Sequence, residues 1–179
     1  MYDIPTLETA RLRLAPLSER HFDEYAAMLA DPANTRWLGD GEPLDRTTAW
    51  RSLAMLLGHW QLRGFGMWAL ELKDTDGFIG RAGLMHPEGW PDTELGWMIK
   101  PDHRHHGYAT EAGQAILTFA WNQLRLQRVI SLVRIGNEAS DRVAERLGGE
   151  HIDDMDFHGN LNHVFAYYAP CQPRRVSYA

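Results

Sequence analysis

The chain contains almost no cysteine, because Cys171 is the single one among 179 residues. One thiol cannot close an intramolecular disulfide, so a disulfide-stapled fold is excluded and the composition agrees with a reducing compartment. Prolines at 170 and 173 flank Cys171 and place it in a C-terminal tail. We therefore do not expect thiol chemistry to be the purpose of this protein.

Long apolar runs are missing as well. No stretch approaches the roughly 20 apolar residues that a membrane helix needs. The first residues, Met1 to Pro5, lack the basic and then apolar layout of a secretory signal. The sequence thus predicts a cytoplasmic protein with no membrane partner.

Basic residues are fewer than acidic ones. The 18 Lys and Arg against 24 Asp and Glu give a net charge of −6 and a pI near 5.8. Binding to a nucleic acid backbone needs a basic surface, so we expect no nucleic acid partner. An amine-bearing partner suits this charge better, although mild acidity also serves solubility alone.

The length and the 44% hydrophobic content fit one domain that buries a sizeable core. We expect a single domain over residues 1–179, with its core at about 6–168 and a tail at 170–179. Hydrophobic periodicity, turn residues and helix caps predict the elements. In chain order they are a strand at 9–14, helices at about 22–29 and 49–60, a turn-rich loop at 33–43, a hairpin of strands 65–72 and 78–85, a strand at 93–99, a helix at 109–124, a strand at 129–135, a helix at 137–147, and strands at 151–157 and 163–169. This order predicts a mixed α/β fold on one central sheet.

The segment from Glu94 to Ala112 carries the clearest functional signal. It is predicted to run from a buried strand through a short turn into a helix, and the turn reads Arg-x-x-Gly-x-Ala at 104–109. Such a junction directs several backbone N–H groups and the positive end of a helix dipole at one point, which is how proteins bind phosphate groups without a metal. The sequence therefore predicts a phosphorylated ligand.

Two blocks of sequence identify a family resemblance that covers about residues 6–168. The first is Arg-His-His-Gly-Tyr-Ala at 104–109, continued by Thr-Glu-Ala at 110–112. The second is Asn-Glu-Ala-Ser at 137–140, followed by Arg-Val-Ala-Glu-Arg-Leu-Gly at 142–148. In this order and spacing they resemble the GCN5-related N-acetyltransferases (GNAT superfamily), and within them the RimJ/RimL-type branch. The resemblance implies a central, mostly antiparallel sheet of about seven strands with a splayed parallel pair, flanked by about four helices.

The resemblance also implies a site for acetyl-CoA as co-substrate. Backbone amides of the turn would bind its pyrophosphate, the strand 94–99 would pair with its pantetheine arm, and Gly96 would form a β-bulge that splays the parallel pair. The start of the later helix would contact the pantetheine arm and the sulfur. The residues assigned to acetyl-CoA are Trp97, Met98, Ile99, Arg104, His105, His106, Gly107, Tyr108, Ala109, Thr110, Asn137 and Ser140.

Two side chains are candidates for catalysis of acetyl transfer to a primary amine. Glu94 is the candidate base or water-positioning residue, because a carboxylate in a partly buried cleft can have its pKa raised toward neutrality. A backbone N–H near Trp97 or Met98 is the candidate oxyanion donor. The tyrosine that many family members use to protonate the leaving thiolate falls here on Ala144, so Ser140 is the nearest hydroxyl. A simpler interpretation makes Glu94 a solvated carboxylate or a substrate anchor, and makes Asn137 and Ser140 helix-cap residues.

The acceptor is less defined. Trp37 and Trp90 lie in the two loops expected to rim its pocket, with Glu94 as a third acceptor contact, whereas Trp50, Trp60 and Trp121 follow apolar stripes and are expected in the core. The acidic run at 153–156 suits either a cationic acceptor or a solvated strand edge. The acceptor itself is either a protein N-terminus or a small-molecule amine, and the resemblance allows a homodimer.

Two competing functions stay open. The missing tyrosine favours a cofactor-binding module with little catalytic activity. The histidines at 103, 105 and 106 suggest a metal-binding interaction protein, but no Cys or acidic pair nearby completes a ligand set, and the same histidines suit a phosphate site. We therefore expect no metal.

Overall fold

A computed structural model describes residues 3–170 of the chain. The predicted tail lies almost wholly outside these residues, and Cys171 lies outside them too. Within the described part, the strands are β1 (Leu7–Glu8), β2 (Leu12–Pro16), β3 (Met67–Leu72), β4 (Phe78–Met85), β5 (Glu94–Ile99), β6 (Arg128–Arg134), β7 (Glu150–Phe157) and β8 (Asn160–Tyr168). The α-helices are α1 (Phe22–Ala30), α2 (Pro32–Thr35), α3 (Arg46–Arg63), α4 (Tyr108–Asn122) and α5 (Glu138–Arg146), and short 3₁₀ helices span Glu19–His21 and Pro101–His103.

The strands form one eight-stranded sheet in the order β1-β2-β3-β4-β5-β6-β8-β7. All neighbours are antiparallel except β5 and β6. Side chains of α1 and α3 pack on one face of the sheet with Met67, Ala69 and Phe78, and those of α4 pack on the other face with Leu84 and Leu95. The mixed α/β fold with one parallel pair is confirmed, with eight strands where about seven were expected.

The predicted strand at 9–14 is partly wrong. Residues 7–8 and 12–16 form two short antiparallel strands, and a turn separates them. Thr9 closes this turn, because its hydroxyl accepts a hydrogen bond from the Leu12 N–H (2.9 Å) and its own N–H donates to the Leu12 carbonyl (2.9 Å). The alternation of polar and apolar residues at 9–14 suggested one continuous strand, but the Thr9 side chain stabilises a turn within it.

The long helix α3 confirms its predicted position but corrects one of its tryptophans. Asp45 caps its first turn, and Gly64 ends it in the left-handed conformation (φ 75°). Trp60 is fully buried, as expected, and forms an edge-to-face pair with Trp68, with 4.8 Å between the ring centroids. Trp50, which was expected in the core, is 51% exposed. The loop at 33–43 also begins with the extra one-turn helix α2.

The parallel pair separates almost as soon as it forms. β5 and β6 pair only at Glu94 and Ile130 within the described residues, although both strands continue for several residues. The predicted bulge at Gly96 is wrong, because β4 and β5 keep one uninterrupted register from Gly80–Ile99 to Met85–Glu94. The cleft between β5 and β6 therefore has a different cause, which lies in the side chains at its closed end.

None of the helices among residues 3–170 is both long enough and apolar enough to cross a membrane.

Candidate active site

Side chains replace strand pairing where β5 and β6 part. The Ser131 hydroxyl donates to the Leu95 carbonyl (2.7 Å), and the Tyr167 hydroxyl donates to the Ser131 oxygen (3.1 Å). On the opposite strand, the Glu94 carboxylate lies near the backbone of Leu132, which acts to lower the pKa of that carboxyl. The Leu95 carbonyl, which would otherwise pair across the two strands, is thus satisfied by a side chain at the apex of the cleft.

The backbone of β5 alternates between its two neighbours. The Ile130 N–H donates to the Thr93 carbonyl on the β6 side, whereas the Lys100 N–H donates to the Ile79 carbonyl on the β4 side. Leu95, Trp97 and Ile99 therefore turn their backbone groups toward the cleft, and Met98 turns its own toward β4. Of the two candidate oxyanion donors, the Trp97 N–H is the one that faces the cleft.

Side-chain parity places Glu94 on the same sheet face as Gly96 and Met98, which is the face covered by α1 and α3. Gly96 lies opposite Gly83 in the register, and the Met67 side chain covers Gly96, because a Cβ built on Gly96 would lie 3.2 Å from the Met67 Cε. Arg81, opposite Met98, is on this face too, and its positive charge is close enough to Glu94 to act on the carboxylate. Its Nε atom is buried and has no hydrogen-bond partner within residues 3–170.

Burial raises the pKa of the Glu94 carboxyl, and hydrogen bonds from the Trp90 indole and the Leu132 backbone, together with the Arg81 charge, only partly oppose the rise. The Trp90 Nε1–H donates to Glu94 Oε2 at 2.6 Å. The indole ring also packs edge-on against Phe157, at 4.8 Å between centroids. Trp90 therefore joins the loop before β5, the β7–β8 hairpin and the candidate base.

The turn before α4 has the geometry of an anion site. Gly107 has a φ of 81° and His105 a φ of 63°, both in the left-handed region, and α4 begins at Tyr108. The backbone N–H groups of residues 105–110 find no acceptor among the residues that the structure describes, whereas the Glu111 N–H bonds the Gly107 carbonyl. Consecutive N–H groups at a helix start are a binding site for phosphate oxygens.

The Arg104 side chain is hydrogen-bonded to other parts of the protein. Its Nε donates to the Ile99 carbonyl (3.1 Å), and its Nη2 donates to the Ala33 carbonyl (3.0 Å) and to Asn34 Oδ1 (2.6 Å). Its own N–H donates to the Pro101 carbonyl (3.1 Å). The side chain of Arg104 thus holds the turn against α2, and the amides that follow it are the ones that present N–H groups.

Glu111 fixes the start of α4 to the β1–β2 edge. Its carboxylate accepts hydrogen bonds from the Thr9 hydroxyl (2.6 Å), the Arg11 N–H (2.8 Å) and the Arg11 Nε (2.7 Å). Burial raises the pKa of this carboxyl, but the hydrogen bonds together outweigh burial and the net pKa is lowered. The Arg11 guanidinium also lies 4.6 Å from the centre of the Tyr108 ring, so the turn between β1 and β2 supports the start of α4 from outside.

The histidines of the turn do not come together as metal ligands. His105 and His106 are exposed, and His106 Nδ1 donates to the Arg104 carbonyl at 2.7 Å. The His106 ring stacks on Tyr108, at 5.6 Å between centroids. Within residues 3–170 the metal-compatible grouping of side chains lies elsewhere, on β7 and β8.

At the start of α5, Asn137 has the helix-capping role that the simpler interpretation of the sequence gave it. Asn137 is the N-cap, and its Oδ1 accepts the Ser140 N–H at 3.4 Å. Ser140 is half-buried in the first turn. Ala144, at the position of the absent tyrosine, is fully buried in the core. The capping role of Asn137 does not prevent its backbone or Ser140 from contacting a ligand.

The predicted acceptor loop with Trp37 is anchored at the far end of β6. Arg134 donates from Nη1 to the Arg36 carbonyl (3.3 Å) and from Nη2 to the Gly39 carbonyl. A Cβ built on Gly136 would lie 3.5 Å from the Trp37 ring, so Trp37 packs against the loop that leads into α5. The structure thus places Trp37 beside Gly136, the residue before Asn137, and Trp90 beside Glu94.

Three residues of the site were missed by sequence reasoning: Arg81, Ser131 and Tyr167. Arg81 and Ser131 had a detectable signal, because each is a polar residue inside an otherwise apolar strand. Tyr167 had none, since a tyrosine in a buried strand is ordinary. Burial and the nearby Glu94 charge raise the pKa of Tyr167 to about 12, against the hydrogen bond to Ser131.

Residues 11–150 match the family model described as acetyltransferase (GNAT) domain. Since this match covers most of the chain, the protein belongs to the GNAT acetyltransferase family. The solved acetyltransferase of Agrobacterium tumefaciens str. C58 is 34% identical and superposes with a TM-score of 0.82, covering 94% of this chain and 97% of that one.

Two further proteins resemble this chain, one in sequence and one in fold. The uncharacterized N-acetyltransferase YoaA of Bacillus subtilis (strain 168) is 27% identical over 147 residues, 80% of this chain and 82% of YoaA. RimL, a ribosomal L7/L12 alpha-N-protein acetyltransferase solved with coenzyme A, shares the fold, with a TM-score of 0.78 at 17% identity, covering 92% of this chain and 98% of RimL. The chain spans about half the length, 51% and 45%, of two other Bacillus subtilis relatives that it matches.

Proposed function

We propose that the protein is an acetyl-CoA-dependent N-acetyltransferase that acetylates a primary amine by direct attack in a ternary complex. The observation that carries this proposal is the position of Glu94. Its carboxyl, with a raised pKa, lies where β5 and β6 part, beside backbone groups of β5 that face the cleft. A binding module has no need for a half-buried carboxylate at that point.

The donor acetyl-CoA fits the turn and the cleft. The N–H groups of residues 105–110 bind the pyrophosphate, and the exposed edge of β5 pairs with the amide groups of the pantetheine arm. The cleft is lined by backbone at Trp97 and Ile99, which offers this pairing. Asn137 and Ser140, at the start of α5, contact the arm near the sulfur.

The reaction needs one proton removed and one charge stabilised. The amine nitrogen attacks the thioester carbonyl carbon, and its proton passes to the Glu94 carboxylate directly or through one water molecule. The carbonyl oxygen becomes an oxyanion that accepts the Trp97 N–H. Collapse of this intermediate breaks the C–S bond and releases coenzyme A as the thiolate.

Ser140 is the hydroxyl proposed to hydrogen-bond the departing sulfur. Tyr167 is a poor alternative as an acid, because a hydroxyl whose pKa is raised to about 12 gives up its proton less readily than a thiol does. Its bond to Ser131 instead stabilises the apex of the cleft. A thiolate is a good leaving group near neutral pH, so a hydrogen bond from Ser140 is sufficient.

Arg81 narrows the acceptor class. Its guanidinium shares the Glu94 face of the sheet, and its buried Nε has no partner among the described residues. A buried donor without an acceptor is costly unless a ligand supplies one. We therefore expect the acceptor to carry a carbonyl or carboxylate group near its amine, as a protein N-terminus or an amino acid does and a polyamine does not.

The test is release of coenzyme A from acetyl-CoA, with mass detection of the product, over peptides, amino acids, amino sugars and polyamines. We expect turnover with acceptors that carry a carbonyl or carboxylate group near the amine, and a rise in KM of about tenfold for them in Arg81→Gln. The matched control Arg63→Gln changes an exposed arginine on α3 and leaves KM unchanged. Tight acetyl-CoA binding without release over any amine would reject the enzyme in favour of the binding module.

A further inference from the structure

The outer hairpin of the sheet carries a cluster of ligating side chains that the proposed reaction does not use. His151, Asp154 and His163 each offer one ligand atom, and these three atoms all lie within 4.8 Å of one another. His151 Nε2 is 2.8 Å from Asp154 Oδ1, and the centroids of the His151 and His163 rings are 4.9 Å apart. The cluster faces α5, because His163 Nδ1 is 3.0 Å from Asp141 Oδ1 on that helix.

A β-bulge creates this convergence. In a regular strand, residues three positions apart point to opposite faces, which would separate His151 from Asp154. The register between β7 and β8 shifts between His151 and Asp153, so one extra residue enters β7 there. The shift returns Asp154 to the face of His151 and places it opposite His163.

Asp141 supplies the outer contact typical of a metal site. A carboxylate oxygen only accepts, so His163 Nδ1 carries the proton of that 3.0 Å hydrogen bond and Nε2 is left with its lone pair. Metal-bound histidines commonly donate their other N–H to a carboxylate in this way. Asp141 is 19% exposed and lies in the first turn of α5, so its position is well fixed.

We infer that His151, Asp154 and His163 form a binding site for a divalent cation of the zinc class, oriented by Asp141. Two imidazoles and one carboxylate suit Zn²⁺ and its neighbours, whereas Ca²⁺ and Mg²⁺ prefer sets of oxygen ligands. To bind Zn²⁺ at about 2.0–2.2 Å the three ligand atoms must lie about 3.3 Å from one another, so the 2.8 Å contact between His151 Nε2 and Asp154 Oδ1 opens slightly and the His163 nitrogen closes around the cation. The His151 and Asp154 side chains are 49% and 47% exposed, so they have the freedom to close and the cation has a path in from solvent.

The bound cation joins the β7–β8 hairpin to the start of α5. The link runs through His163 to Asp141, the neighbour of Ser140. The cation thus stabilises the part of the molecule that presents Asn137 and Ser140. The expectation of no metal rested on the histidines of the 103–106 turn, and those residues take no part in this site.

The inference is tested on untagged full-length protein, treated with chelator and titrated with Zn²⁺ by calorimetry, without any assay of activity. We expect one Zn²⁺ per chain, at least a tenfold loss of affinity in His163→Ala and in His151→Ala, and a loss of about 10–100-fold in Asp141→Asn. The matched control, a triple variant with His103→Ala, His105→Ala and His106→Ala, binds Zn²⁺ like the wild type. Circular dichroism confirms that each variant is folded.

A second readout is thermal unfolding. Zn²⁺ at about 100 times its wild-type Kd should raise the melting temperature of the wild type by about 5–10 °C and that of His163→Ala by no more than about half as much. Absence of Zn²⁺ binding, binding unaffected by both histidine variants, or binding of Ca²⁺ in preference to Zn²⁺ would each overturn the site and leave only two His–Asp hydrogen-bonded pairs.

Discussion

At the scale of single residues, the cleft depends on side chains that take over hydrogen bonds from the backbone. Ser131 satisfies the Leu95 carbonyl, and the Leu132 backbone lies near the Glu94 carboxylate, so within residues 3–170 the two parallel strands part within one residue of the Glu94–Ile130 pair. The same contact places a half-buried carboxyl with a raised pKa next to the proposed thioester position. The structural role and the proposed catalytic role of Glu94 are therefore linked.

Glu94→Gln should lower kcat/KM by about 10²–10⁴-fold, the usual contribution of a positioned base. The wild-type rate rises with pH through the raised pKa of Glu94, since the carboxylate is the active form, and this limb should vanish in the variant. Steady-state kinetics between about pH 5 and 9 measure both effects. Glu88→Gln, a change in a fully exposed carboxylate of the preceding loop, is the control. A pH profile of Glu94→Gln that matches the wild type would exclude Glu94 as the base.

Glu94→Gln, which should lower activity, should raise the stability of the fold at neutral pH. The folded-state pKa of Glu94 lies above its unfolded value, so the fold favours the protonated form, and the stability that this group contributes is lost as the pH rises through the folded pKa. Glutamine stays neutral, so Glu94→Gln should melt a few degrees higher than the wild type at pH 7 and show no such gain near pH 4. Calorimetric melting at the two pH values tests this, and a lower melting temperature at pH 7 would contradict it.

At the scale of elements, the start of α4 combines an open row of N–H groups with a firm attachment. Gly107 supplies the left-handed turn, and Glu111 ties the first helical turn to Thr9 and Arg11. A rigid helix start presents its amides without a further ordering cost when a phosphate binds. Two predictions separate the binding function of this turn from its anchoring.

Gly107→Val should lower acetyl-CoA affinity at least tenfold. A side chain at φ 81° strains the turn by about 1–2 kcal/mol and moves the amides that follow. Gly148→Val is the matched control, because Gly148 has a φ of 82° and open space where a Cβ would lie, yet ends α5 far along the chain from the turn. Calorimetry with acetyl-CoA distinguishes them. Equal affinity in the two variants would place the phosphate site elsewhere.

Glu111→Gln should destabilise the fold by about 2 kcal/mol at pH 7, because it weakens charge-assisted hydrogen bonds to Thr9 and Arg11. The folded pKa of Glu111 is lowered, so the stability it contributes is present above its unfolded pKa and is lost as the pH falls through the folded pKa. The difference from the wild type should therefore shrink toward pH 3. Urea unfolding between pH 3 and 7 measures it, and a difference independent of pH would show that the carboxylate charge is not the cause.

At the scale of the whole molecule, the sequence predicted the order of elements, the core of α3 and α4, and the turn at 104–109. These features are local, since periodicity, caps and glycines encode them. It could not predict that Arg104 would bind α2, that Trp50 would face solvent, or that Ser131 and Tyr167 would satisfy the apex of the cleft. Each of these depends on contacts between residues far apart in the chain, which a single sequence does not reveal. Gly96 shows the same limit, because a glycine in a strand fits a bulge or a close contact equally well.

Gly83 gives a test of the packing of the sheet. A Cβ built on it would lie 2.2 Å from the Gly66 carbonyl oxygen and 2.5 Å from the Met67 Cα, both in the backbone of the adjacent strand region. Gly83→Ala should therefore destabilise the protein by about 3 kcal/mol. Gly58→Ala, inside α3 with open space around its Cβ, should instead stabilise it by about 0.5–1 kcal/mol. Chemical unfolding measures the free energy of unfolding of both variants. An unchanged free energy of unfolding in Gly83→Ala would mean that β3 and β4 lie farther apart.

The central claim is that acetyl-CoA lies along β5 with its pyrophosphate on the turn before α4 and its thioester beside Glu94. A crystal structure of the protein with acetyl-CoA bound tests this most directly. We predict pyrophosphate oxygens within hydrogen-bonding distance of the N–H groups of residues 105–110, and the thioester carbonyl near the Trp97 N–H on the Glu94 side of the cleft. A pyrophosphate bound away from that turn, or an arm that does not enter between β5 and β6, would contradict the account.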